Sequence, residues 1–296
     1  MFQAIPSSWP KIRREFSLFA RLVKLEHSVF ALPFAYIGVF LAAGGWPGWK
    51  TFLFLTLAMV AIRSFAMATN RLVDERFDRQ NPRTQGRPLV TGQITRSKAW
   101  MMTVGAAIVF VLSCAGLNMV CVYLSPVALL WSGLYSYSKR VTWLCHFWLG
   151  TVLGLAPLGG WLAQTPSLSL SAVLFFLGVT FWVAGFDILY ACQDVDFDVQ
   201  MGLKSLPARF GIPGALLLST FSHVNASVFF LLAGWAAGLG LIYGLVWLAV
   251  SIVLLWEHHL VQADDLDRLN LAFFTMNGII AVVLCAGVLA DMFGPL

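Results

Sequence analysis

Residues 170–191 read LSAVLFFLGVTFWVAGFDILYA and run directly into the acidic segment CQDVDFD at residues 192–198. Asp187 is the only charged residue in the apolar run. A helix of about 20 apolar residues spans the hydrocarbon core of a bilayer, and a carboxylate within such a helix is costly and marks a functional site by default. The stretch therefore predicts a membrane-spanning helix that leads into an acidic site.

The rest of the chain has the same apolar character. Of its 296 residues, 59% are hydrophobic and 11% are charged, whereas soluble domains have about 25% charged residues. The apolar runs are continuous, which favours helices over the alternating strands of a membrane barrel. We therefore expect an all-α integral membrane protein with nine transmembrane helices, near residues 28–45, 51–69, 99–116, 119–137, 143–162, 170–191, 213–234, 236–256 and 270–291.

The positive charges predict the orientation. Lys and Arg concentrate in the N-terminal segment and in every second connection, whereas Lys50 stands alone in the connections on the other side. Cytoplasmic loops carry such an excess of basic residues. We therefore expect a cytoplasmic N-terminus, an external C-terminus and a place in the inner (cytoplasmic) membrane. The net charge of +5 follows from this bias and does not indicate binding of nucleic acid.

The domain organisation is simple. No linker or low-complexity segment divides the chain, so residues 1–296 are expected to form one membrane domain. Residues 1–27 are interpreted as an amphipathic cytoplasmic segment, because they are charged and lack a long apolar core. The two longest charged connections, 70–98 and 192–212, are predicted to be cytoplasmic catalytic loops.

The first of these connections begins with a carboxylate motif. Asn70, Asp74 and Asp78 are spaced by four residues, which places them on one face of a helix. Like charges at this spacing repel each other unless a cation offsets them. Carboxylate and amide oxygens suit Mg²⁺, which often shares its coordination with water and substrate phosphates. The alternative is a solvated helix end with ordinary loop charges.

The second connection repeats the pattern. Tyr190, Asp194 and Asp198 have the same spacing, with Asp196 between the two aspartates. Asp187 lies one turn earlier, on nearly the same helix face and deeper in the predicted span. A second motif at the same predicted membrane face makes ordinary loop charges a poor explanation for both.

The two acidic clusters and the nearby basic residues together suggest a polyanion bridged by metal. A diphosphate at the cytoplasmic mouth fits this chemistry, and the apolar helices fit its lipid tail. The isolated Glu257 and Asp291 are interpreted as ordinary solvated charges. A transporter with carboxylate ion sites is an alternative, although such sites lie near the membrane midplane. A binding or scaffold protein without turnover also remains open.

At these motifs the chain resembles the UbiA superfamily of intramembrane prenyltransferases. The family's first signature, NxxxDxxxD, is matched by Asn70, Asp74 and Asp78. The remaining signatures follow in order and are matched by Arg87-Pro88-Leu89, Tyr135 with Lys139, Asp194 with Asp198, Gly202-Leu203-Lys204-Ser205 and Phe210-Gly211. These matches extend over residues 70–211.

The resemblance implies a UbiA-type bundle and transfer of a polyprenyl group from polyprenyl diphosphate to an aromatic acceptor. It implies two Mg²⁺ ions, whose ligands would be Asn70, Asp74, Asp78, Asp194 and Asp198, with these aspartates forming the catalytic centre. The implied diphosphate contacts are Asn70, Tyr135, Lys139 and Lys204, with Tyr190 as a further candidate. Arg71 is a candidate contact of either the phosphate or the acceptor. Asp187 is a candidate to orient the acceptor or to accept the ring proton.

The acceptor is less defined by sequence. Residues 24–35, 193–198 and 208–211 are similar to a subgroup described as 4-hydroxybenzoate prenyltransferase-like, which is associated with the futalosine route to menaquinone. We therefore expect a role in quinone biosynthesis, ubiquinone or menaquinone, with 4-hydroxybenzoate or a futalosine-derived hydroxybenzoate analogue as acceptor. Dihydroxynaphthoate, haem and chlorin acceptors remain open, as does the length of the prenyl chain.

Overall fold

The computed structural model describes residues 17–24, 31–260 and 276–294, and within these ranges it contains helices and no strands. The predicted segment 1–27 lies outside the described residues except for 17–24, which are helical through residue 23. The long helices are α1 Leu32–Ala43, α2 Trp49–Asp78, α3 Arg96–Leu117, α4 Met119–Leu134, α5 Cys145–Gln164, α6 Leu170–Ala191, α7 Leu206–Ala236, α8 Leu241–Leu260 and α9 Asn277–Phe293. The predicted all-α class is confirmed.

The described helices support several membrane crossings. Six helical segments are long and apolar enough to cross a bilayer: Trp49–Asp78, Arg96–Leu117, Met119–Val141, Leu170–Gln200, Leu206–Ala236 and Leu241–His258. The helices α1 and α9 are apolar but shorter, with 12 and 17 residues. Helix α5 has 20 residues, among them His146, Gln164 and Pro157, which reduce its mean hydropathy. Each predicted span thus contains a helix, and nine crossings remain a prediction.

At the acidic motifs, one helix end differs from its predicted position and the second motif is not a single helix. Helix α2 continues to Asp78, so residues 70–78 extend the helix beyond the predicted span end at residue 69. Helix α6 ends at Ala191 and is followed by a 3₁₀ turn over Cys192–Asp194 and a short helix over Val195–Gln200. The first motif is therefore fully helical, whereas the second crosses a change in helix type.

Helix α6 lies at the centre of the bundle, between α5 and α7. Its side chains Val179, Trp182 and Val183 are fully buried. Close packing of α5 depends on glycine, because a Cβ atom at Gly150 would lie 2.2 Å from the Thr180 carbonyl oxygen of α6. Small residues of this kind let helix backbones approach closely in membranes.

A buried polar network joins α6 to the last two helices. The Trp182 indole donates a hydrogen bond to the Asn277 side-chain oxygen at 2.7 Å, and the Asn277 amide donates to Glu257 at 3.1 Å. Glu257 is fully buried, so its interpretation as an ordinary solvated charge is wrong. Its partners lie 20 and more residues away, and a local spacing pattern cannot reveal them. Asp291 instead accepts hydrogen bonds from the backbone N–H groups of Gly240 and Tyr243, near the start of α8.

Candidate active site

The first acidic motif forms one wall of a cavity. Asn70, Asp74 and Asp78 all line it from the last two turns of α2. The Asn70 amide donates a hydrogen bond to Asp74 Oδ2 at 2.7 Å. The three side chains therefore share one face of α2, as predicted, and this face lines the cavity with oxygen donors.

The second motif forms the facing wall. Tyr190, at the end of α6, and Asp194 and Asp198, in the short helical turns that follow, all line the same cavity. Asp187 lines it two helical turns before Asp194, and Asp196 is exposed and does not line it. The structure thus brings together motifs that are more than 100 residues apart in the chain.

The cavity has a volume of about 250 Å³ and a two-part lining. Its deeper wall includes the apolar side chains Leu149, Val152, Leu153, Val183 and Phe186. The polar part carries the two motifs and several basic side chains, namely Lys24, Arg63, Arg71, Arg83, Arg87, Lys139 and Arg140. Such a surface suits a ligand with an anionic head and an apolar body.

Basic side chains pair with each of the four motif aspartates. Arg87 Nη1 lies 2.5 and 2.6 Å from the two oxygens of Asp78. The other pairs are Arg140 with Asp74 at 3.0 Å, Lys139 with Asp198 at 3.4 Å, and Arg83 with both oxygens of Asp194. Each motif aspartate thus has a basic partner within the site.

The Arg83 pair is the most extensively bonded. Arg83 Nε donates to Asp194 Oδ1 at 3.0 Å, Nη1 donates to the Tyr190 hydroxyl at 2.7 Å, and the guanidinium lies over the Tyr190 ring. Asn81 adds a hydrogen bond to Asp194 at 3.1 Å. Burial lowers the pKa of the Arg83 guanidinium, but the hydrogen bond to Asp194 and its negative charge outweigh this effect and raise the pKa.

The oxygen donors of the two motifs are compatible with Mg²⁺. Among the described residues, no three Asp, Glu, His or Cys side chains converge closely enough to form a complete protein cage. Mg²⁺ does not need such a cage, because it is usually held by one or two carboxylates together with waters and substrate phosphates. Two oxygen-rich walls facing one cavity therefore fit Mg²⁺ bound together with a phosphate ligand.

The predicted diphosphate contacts divide into two groups. Arg71, Tyr135, Lys139 and Tyr190 line the cavity, and Arg71 also donates to Asn70 Oδ1 at 3.1 Å. Lys204 does not line it, since its ammonium donates to the Val141 carbonyl oxygen at 3.0 Å. The structure therefore brings together every predicted site residue except Lys204.

Several lining residues were not predicted as site residues. Arg83, Arg87 and Arg140 pair with the motif aspartates. In the sequence they resemble the other basic residues of cytoplasmic loops, so their charge and position alone do not mark them as site residues. Ser136 and Ser138 present buried hydroxyls that have no hydrogen-bond partner among the described residues. Arg63 could have been identified as a site residue from the sequence, because an arginine within an apolar span is rare and marks a functional site.

The deeper polar residues form a separate group. Arg63 lies on α2, seven residues before Asn70, and its Nε atom is buried without a hydrogen-bond partner in the described part of the chain. Asp187 lies on α6, seven residues before Asp194, and is hydrogen-bonded to His146 of α5. Seven helical residues correspond to about 10 Å, so both lie deeper than the acidic motifs.

Comparison with known proteins identifies the family. Residues 31–279 match the model of the UbiA prenyltransferase family. The chain belongs to the UbiA prenyltransferase family. It is therefore a prenyltransferase, and its apolar helices make it a multi-pass membrane protein, as the resemblance of its motifs implied.

Individual relatives agree with the family assignment. A 4-hydroxybenzoate octaprenyltransferase from Shewanella sp. strain W3-18-1 is 30% identical over 241 residues, which cover 79% of this chain and 82% of that protein. A UbiA homolog from Aeropyrum pernix K1, solved in its apo form, is 34% identical with a TM-score of 0.82, covering 91% of this chain and 99% of that one.

A more distant solved structure has the same fold. A UbiA homolog from Archaeoglobus fulgidus, bound to DMAPP and Mg²⁺, has a TM-score of 0.72 and 20% identity, and the match covers 94% of this chain and 99% of that one. The bundle of long helices is thus the UbiA fold.

Proposed function

We propose that this UbiA prenyltransferase uses Mg²⁺ to transfer a polyprenyl group from its diphosphate to a hydroxybenzoate-type acceptor in quinone biosynthesis. The observation that carries the proposal is the cavity itself, in which two acidic motifs and a set of basic side chains surround a polar mouth above an apolar wall. The Shewanella relative is named for 4-hydroxybenzoate, and the Archaeoglobus homolog was solved with a prenyl diphosphate and Mg²⁺.

The donor end of the cavity is proposed to hold the diphosphate. Asn70, Asp74, Asp78, Asp194 and Asp198 would hold Mg²⁺, which when bound neutralises charge on the departing diphosphate. The basic partners of these carboxylates then become available to the diphosphate oxygens. Charge-assisted hydrogen bonds from arginine and lysine to phosphate are short and strong. The resting ion pairs therefore provide donors close to where the substrate binds.

The reaction is proposed to begin with ionisation of the donor. Breaking the bond between prenyl C1 and the diphosphate oxygen gives an allylic cation and diphosphate. The Lys139, Arg83 and Arg140 side chains stabilise the negative charge that develops on the leaving group. The apolar wall with Leu153 and Phe186 excludes water that would otherwise capture the cation.

The acceptor is proposed to bind deeper, beside Arg63. A buried guanidinium facing the cavity, with an Nε that lacks a hydrogen-bond partner among the described residues, favours a carboxylate ligand. A hydroxybenzoate held this way would present its ring towards the prenyl C1 at the mouth. The same contact favours acceptors that carry a carboxylate, as benzoate-type acceptors do, including futalosine-derived ones.

The membrane arrangement is part of the proposal. A cytoplasmic N-terminus and nine crossings place the acidic motifs at the cytoplasmic face of the inner membrane, because the basic residues concentrate there. A transporter is not favoured, since the chain belongs to a family of transferases.

An acceptor assay tests the proposed function. Purified protein in detergent with Mg²⁺ and a polyprenyl diphosphate is expected to prenylate 4-hydroxybenzoate or a futalosine-derived hydroxybenzoate analogue, with one diphosphate released per product. Product mass and diphosphate release would be measured together, with dihydroxynaphthoate as a third acceptor. Diphosphate release without a prenylated hydroxybenzoate, or prenylation of dihydroxynaphthoate alone, would contradict the proposed acceptor class.

Arg63→Met is expected to weaken acceptor binding selectively. Loss of one charge-assisted hydrogen bond costs about 1.5 kcal/mol or more, so the acceptor KM should rise about tenfold while the donor KM changes little. Steady-state kinetics with each substrate varied in turn would measure both constants. The methyl ester of the acceptor is the matched control, because it lacks the carboxylate charge. Wild type and Arg63→Met should use the ester equally well, and a defect that persists with the ester would argue against the contact.

A further inference from the structure

A histidine behind the cavity wall contacts the deepest carboxylate of the site. His146 Nδ1 lies 2.7 Å from Asp187 Oδ2. The His146 side chain is fully buried, whereas 21% of the Asp187 side chain is exposed and faces the cavity. A ligand in the cavity can therefore reach Asp187 and not His146.

The second nitrogen of His146 indicates its tautomer. The backbone N–H of Leu206, the first residue of α7, donates to His146 Nε2 at 3.3 Å. A nitrogen that accepts a hydrogen bond carries no proton, so the hydrogen-bond pattern assigns the proton of neutral His146 to Nδ1. His146 then donates to Asp187, which stabilises the ionised carboxylate and orients it.

The position of the pair fits the acceptor end of the cavity. Asp187 lies two helical turns deeper than Asp194, at a depth similar to that of Arg63, and Val183 and Phe186 line the cavity nearby. A carboxylate in an apolar surrounding must be stabilised by a partner to remain charged. His146 supplies that partner from the side away from the cavity.

We propose that His146 is the positioning residue of Asp187, the carboxylate expected to accept the ring proton of the acceptor. This inference rests on the proposed function and deepens it. When the ring carbon has bonded to prenyl C1, the ring carries a positive charge and an extra hydrogen. That C–H bond breaks, its electrons restore the aromatic ring, and the proton passes to the free oxygen of Asp187. The resulting carboxylic acid returns the proton to water after the product leaves.

A deuterated acceptor tests the pair. Because ionisation of the donor limits the wild-type rate in this mechanism, 4-hydroxybenzoate with deuterium at both carbons next to the hydroxyl-bearing carbon should react as fast as the protonated form. Asp187→Asn should lower kcat roughly 100- to 10,000-fold, the range for loss of a general base. Proton removal then limits the rate, so the variant should show a primary deuterium isotope effect that wild type lacks.

The His146 variants separate positioning from packing. His146→Leu, which keeps bulk but loses both hydrogen bonds, should lower kcat about 10- to 100-fold and show the same isotope effect. His146→Gln can donate to Asp187 and accept from Leu206, so it should restore kcat and remove the isotope effect. The donor KM should stay near wild type in all three variants.

These experiments distinguish a failure of the Asp187–His146 proposal from a failure of the proposed function. Wild-type transfer is established first in the acceptor assay, so a failure at this stage concerns only the Asp187–His146 pair. Wild-type rates in Asp187→Asn, or slow rates with no isotope effect, would overturn the proposal. If His146→Leu does not accumulate, Asp187→Asn and His146→Gln still decide the question, since each retains a side chain of similar size and polarity.

Discussion

Asp194→Asn is expected to abolish most prenyl transfer while leaving the helical bundle intact. Asp194 lies in the cavity wall, and it accepts hydrogen bonds from Arg83 and Asn81. The substitution keeps the side-chain volume but removes a negative charge that would hold Mg²⁺ and organise Arg83. Loss of one preorganised electrostatic contact typically costs on the order of 100- to 1000-fold in kcat. Product formation at saturating donor and acceptor, with Mg²⁺ varied, is the measurement.

Asp196→Asn is the matched control for this variant. Asp196 is two residues away, is exposed and does not line the cavity. The same chemical change should therefore leave kcat and the Mg²⁺ dependence near wild type. Equal losses in the two variants would mean that general acidity of the segment matters rather than the geometry of the motif. A fully active Asp194→Asn at limiting Mg²⁺ would contradict the proposed metal and diphosphate site.

Lys139→Met is expected to impair use of the donor selectively. The Lys139 ammonium lines the cavity and lies 3.4 Å from Asp198, where it can contact a bound diphosphate. A charge-assisted contact is worth about 1.5–3 kcal/mol, so kcat/KM for the polyprenyl diphosphate should fall roughly 10- to 100-fold. The acceptor KM should change much less. Steady-state kinetics with each substrate varied in turn would separate these effects.

Lys204→Met provides a comparison within the same signature region. The Lys204 ammonium donates to the Val141 carbonyl oxygen and does not line the cavity. Its loss should therefore affect donor kinetics much less than the loss of Lys139. If the two variants lose equal activity, Lys204 contacts the donor during turnover, as its motif implied. If only the acceptor KM rises in Lys139→Met, the two substrates have been placed in the wrong order.

The sequence contains enough information for the fold class and for the acidic walls of the site. Apolar runs of bilayer length predict helices, and four-residue spacing places Asn70, Asp74 and Asp78 on one face. These are local patterns with a fixed helical period, and the structure confirms that both motifs line one cavity. The spacing did not reveal that a 3₁₀ turn separates Tyr190 from Asp198.

Contacts across the bundle could not be obtained from local patterns. Arg83 and Asp194 are 111 residues apart, and Asp187 and His146 are 41 apart. Each pairing depends on how α2, α5 and α6 pack, and basic loop residues look alike before that packing is known. Glu257 illustrates the same limit, because it resembles a surface charge in sequence and is buried in the bundle.

The pairing of the motif aspartates with basic side chains also bears on how the chain is made. Asp78 and Asp194 are buried, and a buried charge is costly unless it is paired, so counter-ions within the site reduce that cost. Arg87 follows Asp78 by nine residues, so this pair can form soon after both have left the ribosome. The Arg83–Asp194 pair can form only after α6 has been synthesised. The last charges of the site are therefore neutralised only when its two halves assemble in the membrane, which couples completion of the site to completion of the bundle.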